Sequence, residues 1–509
     1  MACDLLISNG LLIDGSAASP RLEALLAAAA GRHAARAAIA GERVLSYAGL
    51  LAEALAVAGA LRQAGLARDE PLHLRVSNHA LDLVALFGAW LAGAVVVPVH
   101  RSSPALAAAQ IASRTLARFE WDALAATPLK RLASDAPPPR EILEGSALVV
   151  FTSGSSGAPK GAVLSHRALA GKLVAIQSRL GFGENERTML VLNITFSFGI
   201  WVALLTLLHG GRLVPVEKFV PEAFLERLRA EAITRVGVVP TMMRALILDQ
   251  PAEALARSGR ALAAAGSLRT VMIGGESLGK GLGDTLRELV APADLIDIYG
   301  LTETSTCDFF LMPQDATRYA GCIGRPSPGV RFRIRGDDGG AVAQGAVGEL
   351  CIASPFLMNG YLGQPELNPI DAEGWLATGD LARERDPGVL EIAGRKKELI
   401  VRGGNKIAPQ EIEFACSAHP KVAAALAVGR PDARLGQRIH ALVVPRDPSL
   451  SVAELRAFLR ERLDKFKQPD VFYFARELPA GRTGKADRGR FAAMLEAREL
   501  APAQAGATD

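Results

Sequence analysis

Short apolar runs alternate with longer amphipathic stretches through most of the chain. The apolar runs predict buried strands at residues 72–76, 94–99, 148–152, 189–192, 236–239, 271–273 and 295–299. Helical patterns lie between many of them, as at Leu169, Leu173, Ile176 and Leu180, which follow a suitable N-cap at Ser165. This alternation predicts an α/β fold in which mainly parallel, doubly wound sheets carry helices on both faces.

From Gly329 onward the pattern changes. Short apolar segments separated by Gly-rich turns, as in GDDGGAVAQGAVGEL, predict a small antiparallel or barrel-like portion. Arg331, Arg333 and Arg335 alternate with apolar residues, so they are better explained as the solvent face of a half-buried strand than as a phosphate-binding stripe.

A small α+β unit is predicted after Gly394. It includes a helix that begins after Ser451, with Glu454 three residues further on, which is the spacing of a capping box. We therefore expect an N-terminal domain over residues 1–394, a hinge at 395–398 and a C-terminal domain over 399–509 that is long enough to fold by itself.

Composition and charge narrow the class of protein. Half of the 509 residues are apolar and 22% are charged, and a net charge of +4 without a Lys/Arg run gives no reason to expect a nucleic-acid partner. The N-terminus lacks the basic and apolar segments of a signal peptide, and the apolar stretch 199–210 is shorter than a membrane span of ~20 residues. We expect a cytoplasmic protein without an integral membrane segment. None of the cysteines has metal-ligand spacing, which predicts idle thiols in a reducing compartment (Cys3, Cys307, Cys322, Cys351 and Cys416).

The first chemical motif is the segment FTSGSSGAPKG at residues 151–161. A strand leads into a loop rich in glycines and hydroxyls, and Lys160 adds a positive charge, which together suit phosphate oxygens. A P-loop is excluded because Pro159 precedes the lysine, Gly161 follows it and the next residues form an extended pattern instead of a helix. Apolar strands bracket the loop, so a flexible Ser/Gly linker is a poor explanation.

This loop resembles the phosphate-binding loop of the adenylate-forming superfamily of acyl-CoA synthetases, nonribosomal peptide adenylation domains and luciferases. Other segments resemble motifs of this family in the same order, namely 91–98, 274–276, 297–304, 323–326, 348–350, 374–380, 394–397 and 478–485. The resemblance spans residues 40–490 and is closest in kind to the acyl-CoA synthetases. It implies a large N-terminal domain with a β-barrel portion, followed by a small mobile C-terminal domain.

The resemblance also implies roles for individual residues on the nucleotide side. Thr302 would bind the α-phosphate, Glu303 would hold Mg²⁺, and Lys485 would be the mobile catalytic lysine that bridges the substrate carboxylate and the α-phosphate. The remaining implied nucleotide contacts are the phosphate loop (Thr152, Ser153, Gly154, Ser155, Ser156, Gly157 and Lys160), the adenine side (Gly274, Gly275, Glu276, Asp297, Tyr299 and Gly300) and the ribose side (Asp380 and Arg395). Asp297 stands where the family more often has asparagine.

Several of these residues also make chemical sense by themselves. Tyr299 ends a predicted strand, where α/β sheets place their ligand crevices, and its ring is suited to stacking on a base. Glu303 offers a hard oxygen ligand for Mg²⁺. Taken alone, however, the same residues would be assigned to the core and to a solvated turn.

The acyl pocket is expected around the segment 194–201. Its implied residues are Phe196, Ser197, Trp201, Val239, Pro240 and Thr241. Ser197 occupies the position at which amino-acid-activating domains carry an amine-binding aspartate. A serine does not neutralise an ammonium group, so an apolar or aryl acid fits better than an α-amino acid. Asp308 has two interpretations, contact with a polar substrate group or a structural salt bridge or cap.

The resemblance predicts ATP-dependent activation of a carboxylic acid to acyl-AMP, with release of diphosphate, and transfer of the acyl group to a thiol. The small domain would rotate about Lys397, withdrawing Lys485 and bringing Gly403 and Gly404 to the thiol path. The expected cofactors are ATP, Mg²⁺ and coenzyme A. Alternatives are a stand-alone ligase that loads the phosphopantetheine of a carrier protein in trans, and a catalytically silent nucleotide-binding protein. We expect a monomer or a homodimer.

Overall fold

A computed structural model describes residues 21–41, 43–152, 159–248, 250–276, 278–480 and 486–503 of the chain. The strands are, in chain order, β1 Ala37–Ala40, β2 Val44–Ser46, β3 Pro71–Val76, β4 Val95–His100, β5 Phe119–Asp122, β6 Leu129–Arg131, β7 Ser146–Thr152, β8 Lys160–Ser165, β9 Arg187–Leu190, β10 Arg212–Pro215, β11 Arg235–Val238, β12 Thr270–Gly274, β13 Asp294–Tyr299, β14 Phe309–Leu311, β15 Arg325–Pro326, β16 Arg331–Arg335, β17 Gly348–Ala353, β18 Gly360–Tyr361, β19 Leu376–Asp386, β20 Val389–Arg395, β21 Ile400–Arg402, β22 Asn405–Ile407, β23 Val422–Asp432, β24 Gly436–Pro445 and β25 Val471–Phe474.

The α-helices are α1 Leu22–Arg32, α2 Tyr47–Gln63, α3 Ala80–Ala92, α4 Ala105–Thr115, α5 His166–Leu180, α6 Ser197–Leu208, α7 Pro221–Ala230, α8 Pro240–Leu248, α9 Ala252–Ala265, α10 Lys280–Val290, α11 Pro313–Ala316, α12 Pro409–Ser417, α13 Val452–Arg460 and α14 Arg488–Glu496. Short 3-10 turns occur at Glu141–Leu143, Thr302–Thr304, Pro365–Leu367, Lys396–Glu398 and Lys465–Lys467. None of these helices is both long enough and apolar enough to cross a bilayer.

Two large sheets form the body of the structure. One has nine strands in the order β15-β14-β13-β12-β11-β9-β10-β1-β2, and the other has seven in the order β18-β8-β7-β4-β3-β5-β6. Their central pairs are parallel, whereas the edge pairs β13/β14, β14/β15, β1/β2, β7/β8, β8/β18 and β5/β6 are antiparallel. The predicted doubly wound α/β class is therefore confirmed, with each of the seven predicted strands present.

Smaller sheets follow along the chain. The strands β16, β17, β19 and β20 form an antiparallel four-stranded sheet, in agreement with the antiparallel portion predicted after Gly329. After it come a two-stranded hairpin, β21/β22, and a three-stranded sheet, β23-β24-β25. The described residues from Ile400 onward form apolar clusters of their own, with Ile412, Ala427, Val443 and Leu455 at the centre of one of them.

Local capping explains where two of the predicted helices begin. The Ser165 hydroxyl accepts a hydrogen bond from the Ala168 amide at the start of α5, which confirms the predicted N-cap. The Ser451 hydroxyl accepts from the Glu454 amide at the start of α13. The Glu454 carboxylate pairs with Lys421 at 3.0 Å, so only the first half of the predicted capping box is seen.

The strand β8 explains why the phosphate loop is not a P-loop. It begins at Lys160 and pairs antiparallel with β7, so the described residues that follow the predicted loop form a strand instead of the helix that a P-loop requires. Arg331, Arg333 and Arg335 lie along β16, where Ile334 is buried between them, as predicted for a strand with one solvent face.

Candidate active site

A large open cleft runs past the carboxyl ends of the central strands of both sheets. On one side its walls come from the ends of β4, β7, β12 and β13 and from the start of α6, and on the other side from residues 410–426 and 486–493. Parallel α/β sheets place their ligand crevices at this edge of the strands. Most of the described residues that the sequence assigned to the site lie in its walls.

The part of the cleft predicted to hold the nucleotide is organised around Asp380, which is 2% exposed. The Tyr299 hydroxyl donates to one carboxylate oxygen of Asp380 at 2.6 Å, and Nε of Arg395 lies 2.8 Å from the other oxygen. Burial and the facing carboxylate hold the pKa of Tyr299 well above its usual value, so the hydroxyl remains a donor. Three residues predicted to hold the nucleoside are thus linked although 81 positions separate the first two. The four acceptor sites of a carboxylate leave Asp380 able to accept a ribose hydroxyl as well.

The turn Thr302–Thr304 carries the residues assigned to the α-phosphate and the metal. The Tyr361 hydroxyl donates to the Glu303 carboxylate at 2.7 Å, and Nζ of Lys160 lies 4.8 Å from the centre of the same tyrosine ring. Tyr361 belongs to β18, which pairs with the strand that begins at Lys160. Tyr361 was not identified from the sequence, where it is a lone aromatic outside the segments that resemble family motifs. Tyr361 thus contacts both Glu303, through its hydroxyl, and Lys160, through the face of its ring.

The donor set around Glu303 fits Mg²⁺. The ion is commonly held by one or two carboxylates together with substrate phosphates and waters, and Glu303 offers such a carboxylate beside the Thr302 hydroxyl. Within the described ranges, no cluster of three or more His, Cys, Asp or Glu side chains is arranged to hold a metal ion by itself. A metal at this position would therefore depend on oxygens of the bound nucleotide.

Two glycines near the adenine side are required by close backbone approach. A Cβ atom on Gly274 would lie 2.3 Å from the carbonyl oxygen of Ile298, and one on Gly300 would lie 2.2 Å from the amide nitrogen of Cys307. Asp297 lines the cleft on the same strand as Tyr299, and burial raises its pKa to about 7 against the smaller effects of the Ile298 amide and Arg287. Gly275 and Glu276 follow β12 at the cleft wall.

The Glu276 carboxylate is held by two residues of α8. It accepts from the Thr241 hydroxyl at 2.5 Å and from Nη1 of Arg244 at 2.9 Å. The Thr241 side chain is therefore bound to the adenine-side turn, which differs from its predicted place in the acyl pocket. Arg244 itself lines the cleft and was not identified from the sequence.

The part of the cleft predicted to hold the acyl group presents aromatic and apolar surface together with a few small polar side chains. Its described walls include Phe196, Ser197, Phe198 and Val239. These residues lie at the start of α6 and just after β11. A Cβ atom at Gly199 would lie 2.6 Å from two backbone carbonyl oxygens of the preceding loop, so glycine allows the helix start to pack there.

Two predicted pocket residues lie behind this wall instead. Trp201 is 2% exposed and stacks on Phe198 with ring centres 5.1 Å apart. Pro240 is buried at the start of α8. Both are corrections to the prediction, and the reason is the same: a linear segment does not reveal which of its neighbours turns toward the cleft and which packs into the core.

The contacts of Asp308 decide between its two interpretations. Its carboxylate lies 2.8 Å from Nζ of Lys172, and both side chains are fully buried. Thr304 also donates to this carboxylate. The structure therefore assigns Asp308 to a structural salt bridge, and the suggested contact with substrate is wrong.

The residues predicted for the hinge and for the thiol path differ in their relation to the cleft. Lys397 lies in the turn Lys396–Glu398 and lines the cleft. Gly403 and Gly404 form the tight turn between β21 and β22, with φ of 55° and 82°, and they do not belong to the cleft walls in the part of the chain described. The same hairpin contacts the four-stranded-sheet region through Lys406, whose Nζ lies 2.7 Å from Asp337.

Six predicted site residues lie outside the described residues: Ser153, Gly154, Ser155, Ser156, Gly157 and Lys485. Their described neighbours Thr152, Lys160 and Ala486 line the cleft. Arg488 was missed by the sequence reasoning. Its guanidinium contacts Glu398 of the turn Lys396–Glu398 at 2.5 Å and Glu413 at 2.6 Å, so ion pairs join the start of α14 to this turn.

Comparison with known proteins adds an independent result. The profile of the family described as AMP-binding enzyme matches residues 26–137 and 119–362, and that of the AMP-binding enzyme C-terminal domain matches residues 411–485. Sulfoacetate–CoA ligase of Cupriavidus necator is 35% identical over 70% of this chain and 68% of that protein. Feruloyl-CoA synthase of an Amycolatopsis species is 33% identical over 88% of this chain and 94% of that protein. The crystal structure of ATP-bound MatB from Rhodopseudomonas palustris aligns with a TM-score of 0.80 at 25% identity, covering 94% of this chain and 99% of that one.

Proposed function

The chain belongs to the AMP-binding enzyme family, and from that premise we propose that it activates an apolar or aryl carboxylic acid and transfers the acyl group to coenzyme A. It is an AMP-forming acid–thiol ligase that uses ATP, Mg²⁺ and coenzyme A. The observation that carries the finer proposal is a single cleft in which the Tyr299–Asp380–Arg395 network and Glu303 face an aromatic wall.

The first half-reaction joins the acid to the nucleotide. A carboxylate oxygen of the acid attacks the α-phosphorus of ATP, a C–O–P linkage forms, and the bond to the bridging oxygen breaks so that diphosphate leaves. Two anions must approach each other, so catalysis is mainly positioning and neutralisation. In this proposal Thr302 and Lys160 contact phosphate oxygens, Lys485 bridges the carboxylate and the α-phosphate, and Glu303 holds Mg²⁺, which supplies positive charge to the phosphates.

The second half-reaction transfers the acyl group. The thiol sulfur attacks the acyl carbonyl, a thioester forms and AMP leaves with the electron pair of the broken C–O bond. In the structure Ala486, next to Lys485, borders the cleft, whereas the turn at Gly403 and Gly404 lies away from it. We assign this arrangement to adenylate formation, and rotation of residues 399–509 about Lys397 would bring the turn to the thiol path.

The character of the acid is inferred from the wall of the acyl side. Phe196 and Phe198 present aromatic surface, and Phe198 is backed by Trp201. Ser197 supplies no charge for an ammonium group, and an unpaired ammonium in such a pocket costs several kcal/mol. The relative that acts on ferulate aligns over most of both chains, which supports an aryl acid.

A second candidate is an acid that carries another anionic group. Arg244 lines the cleft, and the sulfoacetate–CoA ligase shows that a relative accepts such an acid. We rank this candidate second because Glu276 already neutralises Arg244 at 2.9 Å. An Arg244→Met variant distinguishes the two by the ratio of turnovers, since any effect through Glu276 is shared by both acids, whereas loss of a contact with the second anionic group lowers turnover of the doubly anionic acid alone.

The acceptor and the compartment complete the proposal. Coenzyme A is preferred over a carrier-protein phosphopantetheine because the two relatives compared above are both named for coenzyme A thioesters. The four described cysteines are buried and free (Cys307, Cys322, Cys351 and Cys416), which supports a reducing, cytoplasmic setting. A monomer or homodimer remains our expectation.

The test is product analysis over a panel of acids. Purified protein is incubated with ATP, Mg²⁺, coenzyme A and aryl, fatty, sulfonated and α-amino acids, and the nucleotide products are separated. We expect AMP and diphosphate in equal amounts with aryl or fatty acids. Formation of ADP and phosphate would contradict adenylate formation, and an α-amino acid as the best substrate would contradict the assignment of Ser197.

A further inference from the structure

The turn that carries Thr302 and Glu303 continues into an unusual backbone segment. Ser305, Thr306 and Cys307 have φ of 58°, 72° and 53°, so three consecutive residues with side chains lie in the left-handed region. Residues other than glycine adopt this conformation singly and at a cost, and it persists when the surrounding structure fixes it.

This segment folds the chain back on itself between β13 and β14. The Asp308 amide donates to the carbonyl oxygen of Tyr299 at 2.7 Å, and the Thr306 amide donates to that of Leu301 at 2.8 Å. The close contact between Gly300 and the Cys307 amide described above belongs to the same fold-back. Thr302 and Glu303 therefore line the cleft on a turn whose backbone shape depends on these hydrogen bonds.

A buried ion pair holds the base of this turn. Nζ of Lys172, from α5, lies 2.8 Å from Asp308 and 3.4 Å from the carbonyl oxygen of Cys307. The second oxygen of Asp308 accepts from the hydroxyl of Thr304, which is the residue after Glu303. Lys172 also lies 5.2 Å from the ring centre of Phe356. The Lys172 ammonium thus binds this part of the chain twice, at the Asp308 carboxylate and at the backbone carbonyl of Cys307.

This pair does not touch the cleft. Lys172 and Asp308 have no exposed side-chain surface, and neither lines the cleft wall. Burying two charges is costly, and well-packed apolar residues often replace such a pair without loss of stability. A role in stability alone therefore explains the pair poorly, whereas a role in fixing geometry explains why both ends contact the turn.

We propose that Lys172 and Asp308 are positioning residues that hold the turn in the shape that presents Thr302 and Glu303 to the phosphates and Mg²⁺ of the nucleotide. The proposal rests on the function proposed above. It predicts that loss of the pair weakens binding of the phosphate–metal part of ATP and spares binding of the nucleoside part, which Tyr299 and Asp380 contact.

The test measures binding directly, so it does not depend on finding the acid. Calorimetric dissociation constants for MgATP and for adenosine are compared between the wild type and Lys172→Met/Asp308→Asn, in which no charge is left unpaired. We expect the dissociation constant for MgATP to rise about ten-fold and that for adenosine to change by less than about two-fold. A milder variant, Thr304→Val, keeps the ion pair, removes the hydroxyl that joins it to the turn and should raise the MgATP value about three-fold.

A matched control is the Arg235–Glu186 pair, at 3.1 Å and 5% and 6% exposed, which lies outside the cleft wall. Arg235→Met/Glu186→Gln should change thermal stability by a similar amount and leave MgATP binding within about two-fold of the wild type. Unchanged MgATP binding in a folded Lys172→Met/Asp308→Asn protein, or an equal loss in the control, would overturn the proposal. If the double variant does not fold, unchanged MgATP binding in Thr304→Val would overturn it. Failure of the wild type to bind MgATP at all would instead count against the proposed function.

Discussion

The two ends of the cleft are built on different principles. On the nucleotide side, each polar group is held by another: Tyr299 and Arg395 bind Asp380, and Tyr361 binds Glu303. On the acyl side the wall is aromatic and is backed by the apolar core, as where Phe198 stacks on Trp201. In our proposal the polar end fixes the nucleotide by many directional contacts, whereas the apolar end selects the acid by shape and size. Substitutions should therefore separate into those that affect the nucleotide and those that affect the acid.

The largest effect is expected where the two ends meet, at the group predicted to bridge the acid and the nucleotide. Lys485→Ala should lower the rate of adenylate formation by ~10²–10³, by analogy with removal of an oxyanion donor. Because this lysine is expected to leave the site before thioester formation, synthetic acyl-AMP and coenzyme A should react at close to the wild-type rate. The measurements are acid-dependent diphosphate release and thioester formation from the adenylate.

Gly404→Leu is the complementary variant. Gly404 has a φ of 82°, so a leucine would be strained there, and the added side chain would obstruct the expected thiol path. It should slow the second half-reaction and spare the first. Equal loss in both half-reactions for a folded Lys485→Ala protein would show that the lysine does not act in one half-reaction only.

A smaller effect, confined to the nucleotide, is expected at Asp380. Asp380→Asn removes the charge that Arg395 faces and one acceptor of the network, so KM for ATP should rise about ten-fold, which corresponds to about 1.4 kcal/mol. KM for the acid should remain within about two-fold of the wild-type value. Glu120→Gln, which breaks the Arg75–Glu120 pair at 2.8 Å outside the cleft wall, is the control for loss of an ion pair. An equal rise in both Michaelis constants for Asp380→Asn would contradict the division of the cleft.

These two ends also differed in how far the sequence predicted them. Tyr299, Asp380 and Arg395 were identified because the resemblance fixes polar residues at defined positions, and the network confirms that they come together. Tyr361 and Lys172 were missed, since their contacts join segments far apart in the chain and no local pattern marks them. The strands themselves were predictable because a buried parallel sheet requires continuous apolar runs.

On the acyl side the segment was predictable from the sequence, but the direction of each side chain was not. Phe196 and Ser197 line the cleft, whereas Trp201, one turn further along α6, packs into the core. Thr241 binds Glu276 instead of facing the acid. Helix periodicity places Trp201 on the same face as Ser197, but it does not state how far along that face the cleft extends, because that depends on how the helix packs against both sheets.

A still smaller effect is expected on the acyl side. Phe196→Ala should raise KM for an aryl acid about five-fold, because it removes part of an apolar wall that other residues still form. KM for ATP should be unchanged. Steady-state kinetics with a short and a long acid give the comparison, and a loss confined to the larger acid would identify Phe196 as a limit on size. A change in KM for ATP alone would contradict the assignment of this wall to the acid.

The smallest effect is expected from Asp297, which tests whether the adenine side responds to pH. Burial raises the pKa of Asp297 to about 7, whereas its ordinary value, expected in an unfolded chain, is 3.8. The native state therefore holds this proton between about pH 4 and pH 7 while the unfolded state loses it, so stability falls as pH rises through that window. Asp297→Asn should remove the loss, giving a Tm that exceeds the wild-type value by about 1–3 °C at pH 8 and by less at pH 5.

Binding of ATP supplies a second measurement for the same variant. If Asp297 accepts a hydrogen bond from the adenine amino group, the ionised carboxylate is the better acceptor, and wild-type affinity should improve by about two-fold as pH rises through 7. The amide of Asp297→Asn does not titrate, so its affinity should be flat over the same range. Asp294→Asn, an exposed carboxylate on the same strand, is the matched control and should follow the wild-type profile. An Asp297→Asn profile that keeps the wild-type slope would show that another group titrates, and it would contradict the assignment of Asp297 to the adenine amino group.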